Sequence, residues 1–328
     1  MIRIAVAGAG VIGREHVRCI QATAGAELAG IADPATGPYR DLASLLAAEK
    51  PDAVVIAAPN ALHHQLALQA IEAKIAVLVE KPVCVTVEEA LALAEAAEKN
   101  NVIALVGHHR RHSQSLARAK GIIQGGRLGV IAAVNGLCWF RKPGSYFEDA
   151  GEWRKQAGVI PINLIHLIDD LRYLCGEIIA VQATAANAIR GFDVEDTAAL
   201  TLRFANGALA SVSISDAIAS PWSWELTAGE NPVYPRTEEF CYLIGGTEAS
   251  LSLPRLELWQ QADWHQPIHR DRFTPPVEDP LLRQMQHFVA LLQNEEHEPR
   301  IGLREAARTL AVTLAVQQSA RSGHTIQL

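Results

Sequence analysis

The chain has 328 residues, 49% of them hydrophobic and 20% charged, with a formal net charge of −7 at pH 7. This length exceeds what one hydrophobic core usually supports, so we expect two domains, and the composition excludes a disordered or membrane protein. The acidic balance disfavours a nucleic-acid partner, and no apolar run approaches the roughly 20 residues that span a bilayer, so no membrane partner is predicted.

Short apolar strands alternate with helical segments in the first part of the chain, which is typical of a parallel sheet with crossover helices. Strands are predicted over 2–7, 28–32, 53–58, 76–79 and 102–106. Helices are predicted after the first strand and over 41–48, 66–73 and 87–99. Thr86, with Glu89 three residues later, predicts a capping box at the last of these helices. Residues 1–120 therefore indicate an α/β domain built on a doubly wound parallel sheet.

Longer strands and hairpin signals follow from about residue 128. Asn206-Gly207 separates two runs of alternating polarity, and Gly245-Gly246 separates another pair. Helices are predicted over 160–174, 281–292 and 304–320. Residues 121–328 are predicted to form an α+β domain for substrate binding and oligomerisation, built on a mostly antiparallel, open-faced sheet. Because few helices remain to cover that face, we expect a homodimer or homotetramer formed through the sheet.

A glycine-rich turn, Gly8-Ala9-Gly10-Val11-Ile12-Gly13, joins the first strand to a helix. In such a G-x-G-x-x-G turn the glycines permit a tight turn, the approach of a pyrophosphate and close packing of helix on strand, while helix amides face the phosphates. Gly8, Gly10, Val11, Ile12 and Gly13 are therefore predicted to bind a dinucleotide. The alternative is a purely structural turn.

Asp33 ends the second strand, twenty residues after Gly13. A carboxylate there accepts hydrogen bonds from a ribose 2′-hydroxyl, whereas a 2′-phosphate would meet like charge beside Pro34 and Ala35, with no adjacent arginine. NAD is therefore the predicted cofactor and NADP is less favoured, so residues 1–120 are predicted to be an NAD-binding domain of the Rossmann type. The alternative is an aspartate that only caps a turn before Pro34.

Three further motifs follow successive strands: Pro59-Asn60-Ala61-Leu62-His63, Glu80-Lys81-Pro82 and the His-Arg run at 108–112. With the glycine turn, their order and spacing make the chain resemble the Gfo/Idh/MocA oxidoreductase family, the glucose-fructose oxidoreductase and inositol dehydrogenase group, over nearly its whole length. By itself, a lysine at a strand end is more often a solvated surface charge.

The resemblance implies a set of site residues. Lys81 of the E-K-P motif would lie beside the nicotinamide and the substrate hydroxyl. The segment with Pro59, Asn60 and His63 would line the cofactor, and we place Glu80 there too. The His-Arg run corresponds to a family motif near the substrate cleft, which makes Arg111 a candidate for substrate binding.

The predicted helix over 160–174 has an apolar stripe at helical spacing, with Asn163, His166, Asp169 and Asp170 on the neighbouring face. A lone histidine on such a helix is more often structural. The resemblance implies that His166 is the acid/base residue, and Asp169 matches a second aspartate of the family pattern. Oxidation of a secondary alcohol requires a base at the hydroxyl, so His166 is the predicted base and Lys81 the predicted stabiliser of the alkoxide.

Two features depart from the family pattern. The aspartate commonly found four residues before the histidine is replaced by Ile162; the adjacent Asn163 can orient a hydroxyl or a water but cannot act as a base. Only nineteen residues lie between Asp33 and Ala53, fewer than relatives generally carry, which predicts one helix there and an open adenine side of the pocket.

A stretch from Trp139 to Arg154 mixes basic and aromatic side chains that can stack on a polyol ring or clamp a carboxylate. We therefore predict a sugar, cyclitol or sugar acid as substrate. The candidates for its binding are Arg111, Trp153, Arg154 and Asp170. The alternative is a structural loop whose tryptophans cover the sheet.

Other patterns limit the chemistry. No His, Cys, Asp and Glu grouping has metal-site spacing, so no metal is predicted. The five cysteines are scattered and are predicted to be free thiols, and the first strand is too short for a signal peptide, so a cytoplasmic location is expected.

The favoured function is an NAD-dependent dehydrogenase. One alternative is an enzyme of the same fold that uses NAD transiently for hydrolysis or elimination at a glycosidic centre, which would react without net NADH. The other is a non-enzymatic dinucleotide-binding regulator, favoured by the missing aspartate and disfavoured by Lys81 and His166.

Overall fold

The protein is described by a computed structural model that covers the side chains of residues 1–148 and 154–328, together with the backbone of Trp153. Two compact units make up the chain. Unit 1 comprises residues 1–112 and 279–310, and unit 2 comprises 113–278 and 311–328. The sequence led us to predict one boundary after residue 120, whereas the chain leaves unit 1 at His112 and returns to it at Asp279. An apolar helical stripe does not reveal which sheet it packs on, so this return left no sequence signal.

Unit 1 contains a five-stranded parallel sheet in the order β2-β1-β3-β4-β5. Its strands are β1 (Ile2–Ala7), β2 (Ala26–Ala32), β3 (Ala53–Ile56), β4 (Ala76–Val79) and β5 (Ala104–Val106). The helices among them are α1 (Val11–Ala22), α2 (Leu42–Glu49), α3 (His63–Glu72) and α4 (Val87–Asn100). The strand order reverses between β1 and β3, which confirms the doubly wound prediction, and ligands of such sheets bind beyond the carboxyl ends of the strands at this point.

Side-chain caps begin α2 and α4 of unit 1. The Asp41 carboxylate accepts from the Ser44 amide at 2.7 Å and begins α2, the one helix expected between Asp33 and Ala53. The Thr86 hydroxyl accepts from the Glu89 amide at 3.2 Å and begins α4. The Glu89 carboxylate accepts instead from the Val85 amide at 3.3 Å, so only one half of the predicted capping box forms as expected.

Unit 2 contains a nine-stranded sheet in the order β13-β12-β11-β10-β6-β9-β8-β7-β14. Its strands are β6 (Ile131–Trp139), β7 (Ile178–Ala186), β8 (Thr197–Phe204), β9 (Leu209–Ser215), β10 (Tyr242–Gly246), β11 (Ser250–Leu253), β12 (Glu257–Gln260), β13 (His269–Arg272) and β14 (Ile326–Gln327). Within the described residues β6 pairs with β9 in parallel and every other neighbouring pair is antiparallel, as predicted. The hairpin at Asn206-Gly207 is confirmed. Gly245 and Gly246 lie inside β10, so the second turn falls just after them.

The described residues of unit 2 also form several helices. They are α5 (Gln114–Gln124), α6 (Gly144–Glu148), α7 (Trp153–Ala157), α8 (Ile165–Cys175) and α9 (Trp224–Thr227). Two helices follow, α10 (Pro280–Leu292) and α11 (Leu303–Ser322); α10 and the part of α11 up to Leu310 belong to unit 1. The core of unit 2 joins α5, α8 and the end of α11 to the inward side of β8, through side chains such as Leu116, Leu167, Val316 and Leu202.

The other face of the nine-stranded sheet is open. Along β8 the residues Ala199, Thr201 and Arg203 are exposed and alternate with buried neighbours. Leu209 on β9 and Leu243 on β10 are also exposed on the sheet, at 58% and 39%. Within the described residues no helix has the length and apolarity needed to cross a membrane.

Candidate functional site

The glycine turn between β1 and α1 is shaped by two close contacts. Gly8 has a φ of +106°, and a Cβ there would lie 2.5 Å from the carbonyl oxygen of Ala57. A Cβ at Gly13 would lie 2.0 Å from the carbonyl oxygen of Gly8. Both positions therefore exclude a larger residue. A Cβ at Gly10 would meet no described atom within 4 Å, so glycine here leaves space for a ligand rather than for protein packing.

Helix α1 starts at this turn with Gly10 as its N-cap and with no acidic residue in its first turn. The first amides of a helix lack intrahelical partners and the helix dipole adds positive potential, so this end of α1 suits a phosphate. Val11 and Ile12 are 63% and 37% exposed, which leaves apolar surface that a dinucleotide would cover.

Asp33 connects the glycine turn to the loop after β2. Its Oδ2 accepts from the Ala9 amide at 2.9 Å, and its Oδ1 accepts from the amides of Ala35 and Thr36 at 2.9 and 3.0 Å. The bond from Ala9 is the strongest influence, and together these bonds hold the pKa of Asp33 below its ordinary value against the effect of burial. The carboxylate thus caps a turn, and its Oδ2, which accepts one hydrogen bond, retains a lone pair for a ribose hydroxyl. The Arg40 guanidinium donates to the Pro34 carbonyl, so folding brings an arginine to this loop that sequence adjacency did not show.

Glu80 is buried at the carboxyl end of β4 and contacts His16 of α1. The His16 Nε2 lies 2.8 Å from Glu80 Oε1, and Oε2 accepts from the Lys81 amide at 3.1 Å. Burial opposes the charged carboxylate, but the hydrogen bond and charge of His16, with the charges of Lys81 and His109, outweigh it and hold the pKa of Glu80 at about 2. A Cβ at Gly107 would lie 2.8 Å from Glu80 Cδ. We predicted that Glu80 lines the cofactor; the structure places its side chain inside unit 1, where it supports the loop that carries Lys81.

The two loops after β3 and β4 are joined by His63. Its Nδ1 lies 2.8 Å from the Pro82 carbonyl oxygen and its Nε2 lies 2.9 Å from that of Ala58, with the side chain buried. Predicted as a cofactor-lining residue, His63 instead has its ring directed at the backbone of both loops. In this motif Pro59, Asn60, Ala61 and Leu62 are exposed, whereas Lys81, in the loop after β4, is half-buried.

Arg111 lies in a 3-10 turn, His109–His112, after β5. Its guanidinium is 5% exposed and forms an ion pair with Glu305 of α11 at 3.0 Å. We predicted that Arg111 binds substrate; the structure buries its side chain and pairs it with the half-buried Glu305 within unit 1. His108, Arg110 and His112 are buried as well, so the His-Arg run is largely an internal polar cluster.

In unit 2, a π-helical turn, Ile160–Leu164, leads directly into α8. The Glu195 Oε1 accepts from the Ile160 amide at 3.0 Å, and a Cβ at Gly158, where φ is +71°, would lie 2.4 Å from the same oxygen. Burial raises the pKa of Glu195. A π turn carries more residues than an α turn, so α-helical spacing alone does not give the face of Asn163.

Asn163 is buried and its Oδ1 accepts from the Lys142 Nζ at 2.6 Å. That ammonium also lies 3.9 Å from Asp216 Oδ2 and 4.7 Å from the centre of the Tyr146 ring. Asp216 Oδ1 in turn accepts from Arg190 Nε at 2.6 Å. We call these four residues, Asn163, Lys142, Asp216 and Arg190, the Lys142 cluster. Because the amide oxygen of Asn163 faces Lys142, its NH2 group is left as the donor.

His166 lies in the first turn of α8 and is 7% exposed. Asp170, one helical turn further, is fully buried, and its Oδ2 accepts from the Tyr242 hydroxyl at 2.8 Å. The ring of Tyr242 stacks on Trp224 at 5.5 Å. We predicted that Asp170 binds substrate; the structure holds it in the core, where it fixes Tyr242.

The remaining predicted substrate residues lie in α7. Arg154 is half-buried and stacks over the Tyr146 ring at 3.9 Å, while its Nη1 donates to the Tyr146 carbonyl at 2.7 Å. The predicted contact of Trp153 concerns a side chain outside the described part of the structure.

Four residues of these sites were not predicted from the sequence: His16, Glu195, Asp216 and Arg190. No short motif marks them, because each acts through a partner distant in sequence; Lys142 was visible only as one member of a basic and aromatic stretch. Among the described residues no group of three or more His, Cys, Asp or Glu side chains is arranged to hold a metal ion.

Comparison with known proteins matches both units. Residues 2–108 match the GFO_IDH_MocA model, described as an oxidoreductase family with an NAD-binding Rossmann fold, and residues 116–252 match the GFO/IDH/MocA C-terminal domain. D-apiose dehydrogenase of Paraburkholderia graminis is 26% identical over 99% of this chain and 89% of the relative. The scyllo-inositol 2-dehydrogenase (NAD+) of Bacillus subtilis is 28% identical over 100% and 96%.

A solved structure shares the fold over the same length. It is that of the WlbA dehydrogenase from Bordetella pertussis in complex with NADH and UDP-GlcNAcA, which matches with a TM-score of 0.81 at 26% identity and covers 100% of this chain and 98% of that chain.

Proposed function

Because this chain belongs to the Gfo/Idh/MocA oxidoreductase family, we propose that it is an NAD-dependent dehydrogenase acting on a secondary alcohol of a sugar, cyclitol or sugar acid. The observation that carries the proposal is the glycine turn at α1, with the ionised Asp33 beside it and Lys81 at the carboxyl end of β4. The relatives named as D-apiose and scyllo-inositol dehydrogenases support the substrate class.

The residues of unit 1 fit a dinucleotide. Gly10 leaves room for a pyrophosphate at the start of α1, and Asp33 offers carboxylate lone pairs to a ribose. Val11 and Ile12 supply apolar surface beside them. Bound NAD supplies the hydride acceptor, and the chain must bind it, orient the alcohol and take up the hydroxyl proton.

We assign the proton to His166. A neutral imidazole would accept the hydroxyl proton at a ring nitrogen while hydride leaves the carbon that bears this hydroxyl for the nicotinamide. The Lys81 ammonium stabilises the negative charge that develops on the alcohol oxygen. Asn163, its oxygen held by Lys142, orients the hydroxyl through its NH2 group and takes no proton.

Other residues support the site by positioning its loops. Glu80 and His63 position the loops after β3 and β4 through His16 and two backbone carbonyls. Arg154 and Trp153 remain our candidates for contact with the substrate ring, since Arg154 is half-buried on Tyr146.

We further propose a cytoplasmic homodimer or homotetramer. The open face of the nine-stranded sheet exposes Leu209 and Leu243, and a second copy of this face would remove them from water. Analytical ultracentrifugation is expected to give a dimer or tetramer at micromolar concentration; a monomer would contradict the proposal.

The test of the function is a panel of sugars, inositols and sugar acids, each assayed for NADH formation. Lys81→Ala and His166→Ala should each lower kcat by about 100-fold or more, the usual contribution of positioned acid/base and charge-stabilising groups. Wild-type rates in both variants would refute the assigned roles. Product that forms only with NAD present, yet without net NADH, would indicate the hydrolysis or elimination alternative instead.

A further inference from the structure

A cavity of about 480 Å³ lies within unit 2, beside the Lys142 cluster. Its wall is formed by the loop after β6, by α6 and α7, and by the segment after β7, with side chains that include Arg141, Lys142, Phe147, Lys155, Arg190 and Phe192. Small-molecule pockets typically measure about 300–1,000 Å³, so this cavity can hold a group the size of a monosaccharide.

Two arginines, Arg141 and Arg190, lie on the described part of the wall. Behind it, the Asp216 carboxylate lies 2.6 Å from Arg190 Nε and 3.9 Å from the Lys142 ammonium. Arginine side chains on a concave surface attract anions.

Arg190 is held in position before any ligand arrives. Its Nε donates to Asp216 at 2.6 Å, its Nη2 donates to the Lys142 carbonyl at 2.9 Å, and its guanidinium stacks on the Phe147 ring at 4.4 Å. The described residues offer no hydrogen-bond acceptor to Nη1, so this donor is left for a ligand. A fixed, planar guanidinium suits the oxygens of a carboxylate or a phosphate and loses little entropy on binding.

The same cavity has an apolar side and a link to α8. Phe147 and Phe192 meet edge to face at 5.3 Å, which provides carbon surface for a sugar ring. Lys142 both lines the cavity and donates to Asn163, three residues before His166. The Lys142 side chain therefore links the cavity to the π-helical turn that precedes α8, the helix that carries His166.

We propose that this cavity binds an anionic substituent of the substrate, a carboxylate or phosphate carried by a sugar, and that it selects such substrates over neutral polyols. Arg190 and Arg141 contact the anion, and Phe147 contacts carbon. This inference rests on the proposed dehydrogenase function only for its catalytic readout, because binding is measurable without turnover.

The binding test is calorimetry on the full chain with D-glucuronate, D-glucose 6-phosphate and neutral D-glucose as probes. At least one charged probe should bind about tenfold or more tightly than glucose, the effect of one or two charge-assisted hydrogen bonds, and high salt should reduce the difference. The tighter charged probe identifies the anion as carboxylate or phosphate. Equal affinities for all three probes would overturn the proposal.

Arg141→Ala tests the cavity directly, because this side chain is exposed at the rim and its removal leaves the core intact. It should weaken the preferred charged probe about tenfold more than glucose. The matched control is Arg127→Ala, an exposed arginine of unit 2 that pairs with Asp271 and does not line the cavity. An equal loss in both variants would contradict the proposal.

The kinetic arm separates this inference from the proposed function. In Arg141→Ala, the ratio of kcat/KM for a charged substrate to that for its neutral counterpart should fall about tenfold. NADH formation with no preference for charged substrates would overturn the cavity proposal and keep the dehydrogenase. Anion binding that Arg141→Ala abolishes, with no NADH from any substrate, would keep the cavity proposal and refute the dehydrogenase.

Discussion

Removal of the Glu80 carboxylate should destabilise unit 1 in a pH-dependent way. The pKa of Glu80 is about 2, against an ordinary value of 4.5, so its charged form is stabilised by folding. By linkage this difference is worth about 3 kcal/mol of unfolding free energy at pH 7 and only about 1 kcal/mol at pH 3. This contribution of Glu80 to the unfolding free energy is complete above the ordinary pKa of 4.5 and is lost as the pH falls towards the pKa of about 2 in the folded protein. Glu80→Gln should therefore cost most at neutral pH.

The assay must follow unit 1 itself. All six tryptophans belong to unit 2, so their fluorescence does not report on unit 1, and hydrogen exchange of α1 and β4 in graded denaturant is the suitable measurement. Glu72→Gln, an exposed carboxylate of α3, is the matched control and should change little. Equal protection of the two variants at pH 7, or a Glu80→Gln deficit that does not shrink at pH 3, would refute this reasoning.

Further substitutions test the remaining contacts. Gly13→Ala should unfold unit 1 or prevent its folding, because its Cβ would lie 2.0 Å from a carbonyl oxygen, whereas Gly10→Ala should fold normally and bind NAD more weakly; thermal melts with NAD titrations compare them. Asp33→Ser should raise KM for NAD about tenfold and narrow the preference over NADP, since one charged acceptor is lost; initial rates with both cofactors measure this. Lys142→Met should lower kcat more than it raises KM, because the Asn163 amide loses its orientation, and a variant with unchanged kcat would refute that role.

Much of the fold was visible in local patterns. Short, largely apolar runs bounded by turns predicted the first and last residues of β1 and β4 correctly. A strand that is buried on both faces does not need alternating polar and apolar residues. The hairpin at Asn206-Gly207 was predicted because its turn needs residues that accept positive φ, and Gly207 has a φ of +89°.

Partners distant in sequence could not be predicted. Arg111 was predicted from its place in the His-Arg run and Asp170 from its place on a polar helix face, yet Arg111 pairs with the half-buried Glu305 and the buried Asp170 accepts from Tyr242. Residue type shows that a buried charge needs a partner but does not name it. For the same reason the Lys142 cluster, assembled from four separate segments, was invisible until the chain was folded.

The return of the chain to unit 1 at Asp279 could not be predicted from the sequence for a related reason. Helices α10 and α11 carry clear apolar stripes, but a stripe specifies only that one face is buried. Gln284 of α10 donates to the Val106 carbonyl at 3.1 Å. This contact joins α10 to unit 1, and no sequence pattern predicts it.

The pH dependence of kcat/KM for His166→Asn, compared with the wild type, tests the central claim most directly. The wild type should lose activity as the pH falls and its base becomes protonated, and His166→Asn should lack that limb and be slower by about 100-fold or more, while NAD binding is retained. A variant that keeps both the wild-type rate and the acidic limb would show that another group takes the hydroxyl proton and would contradict the account.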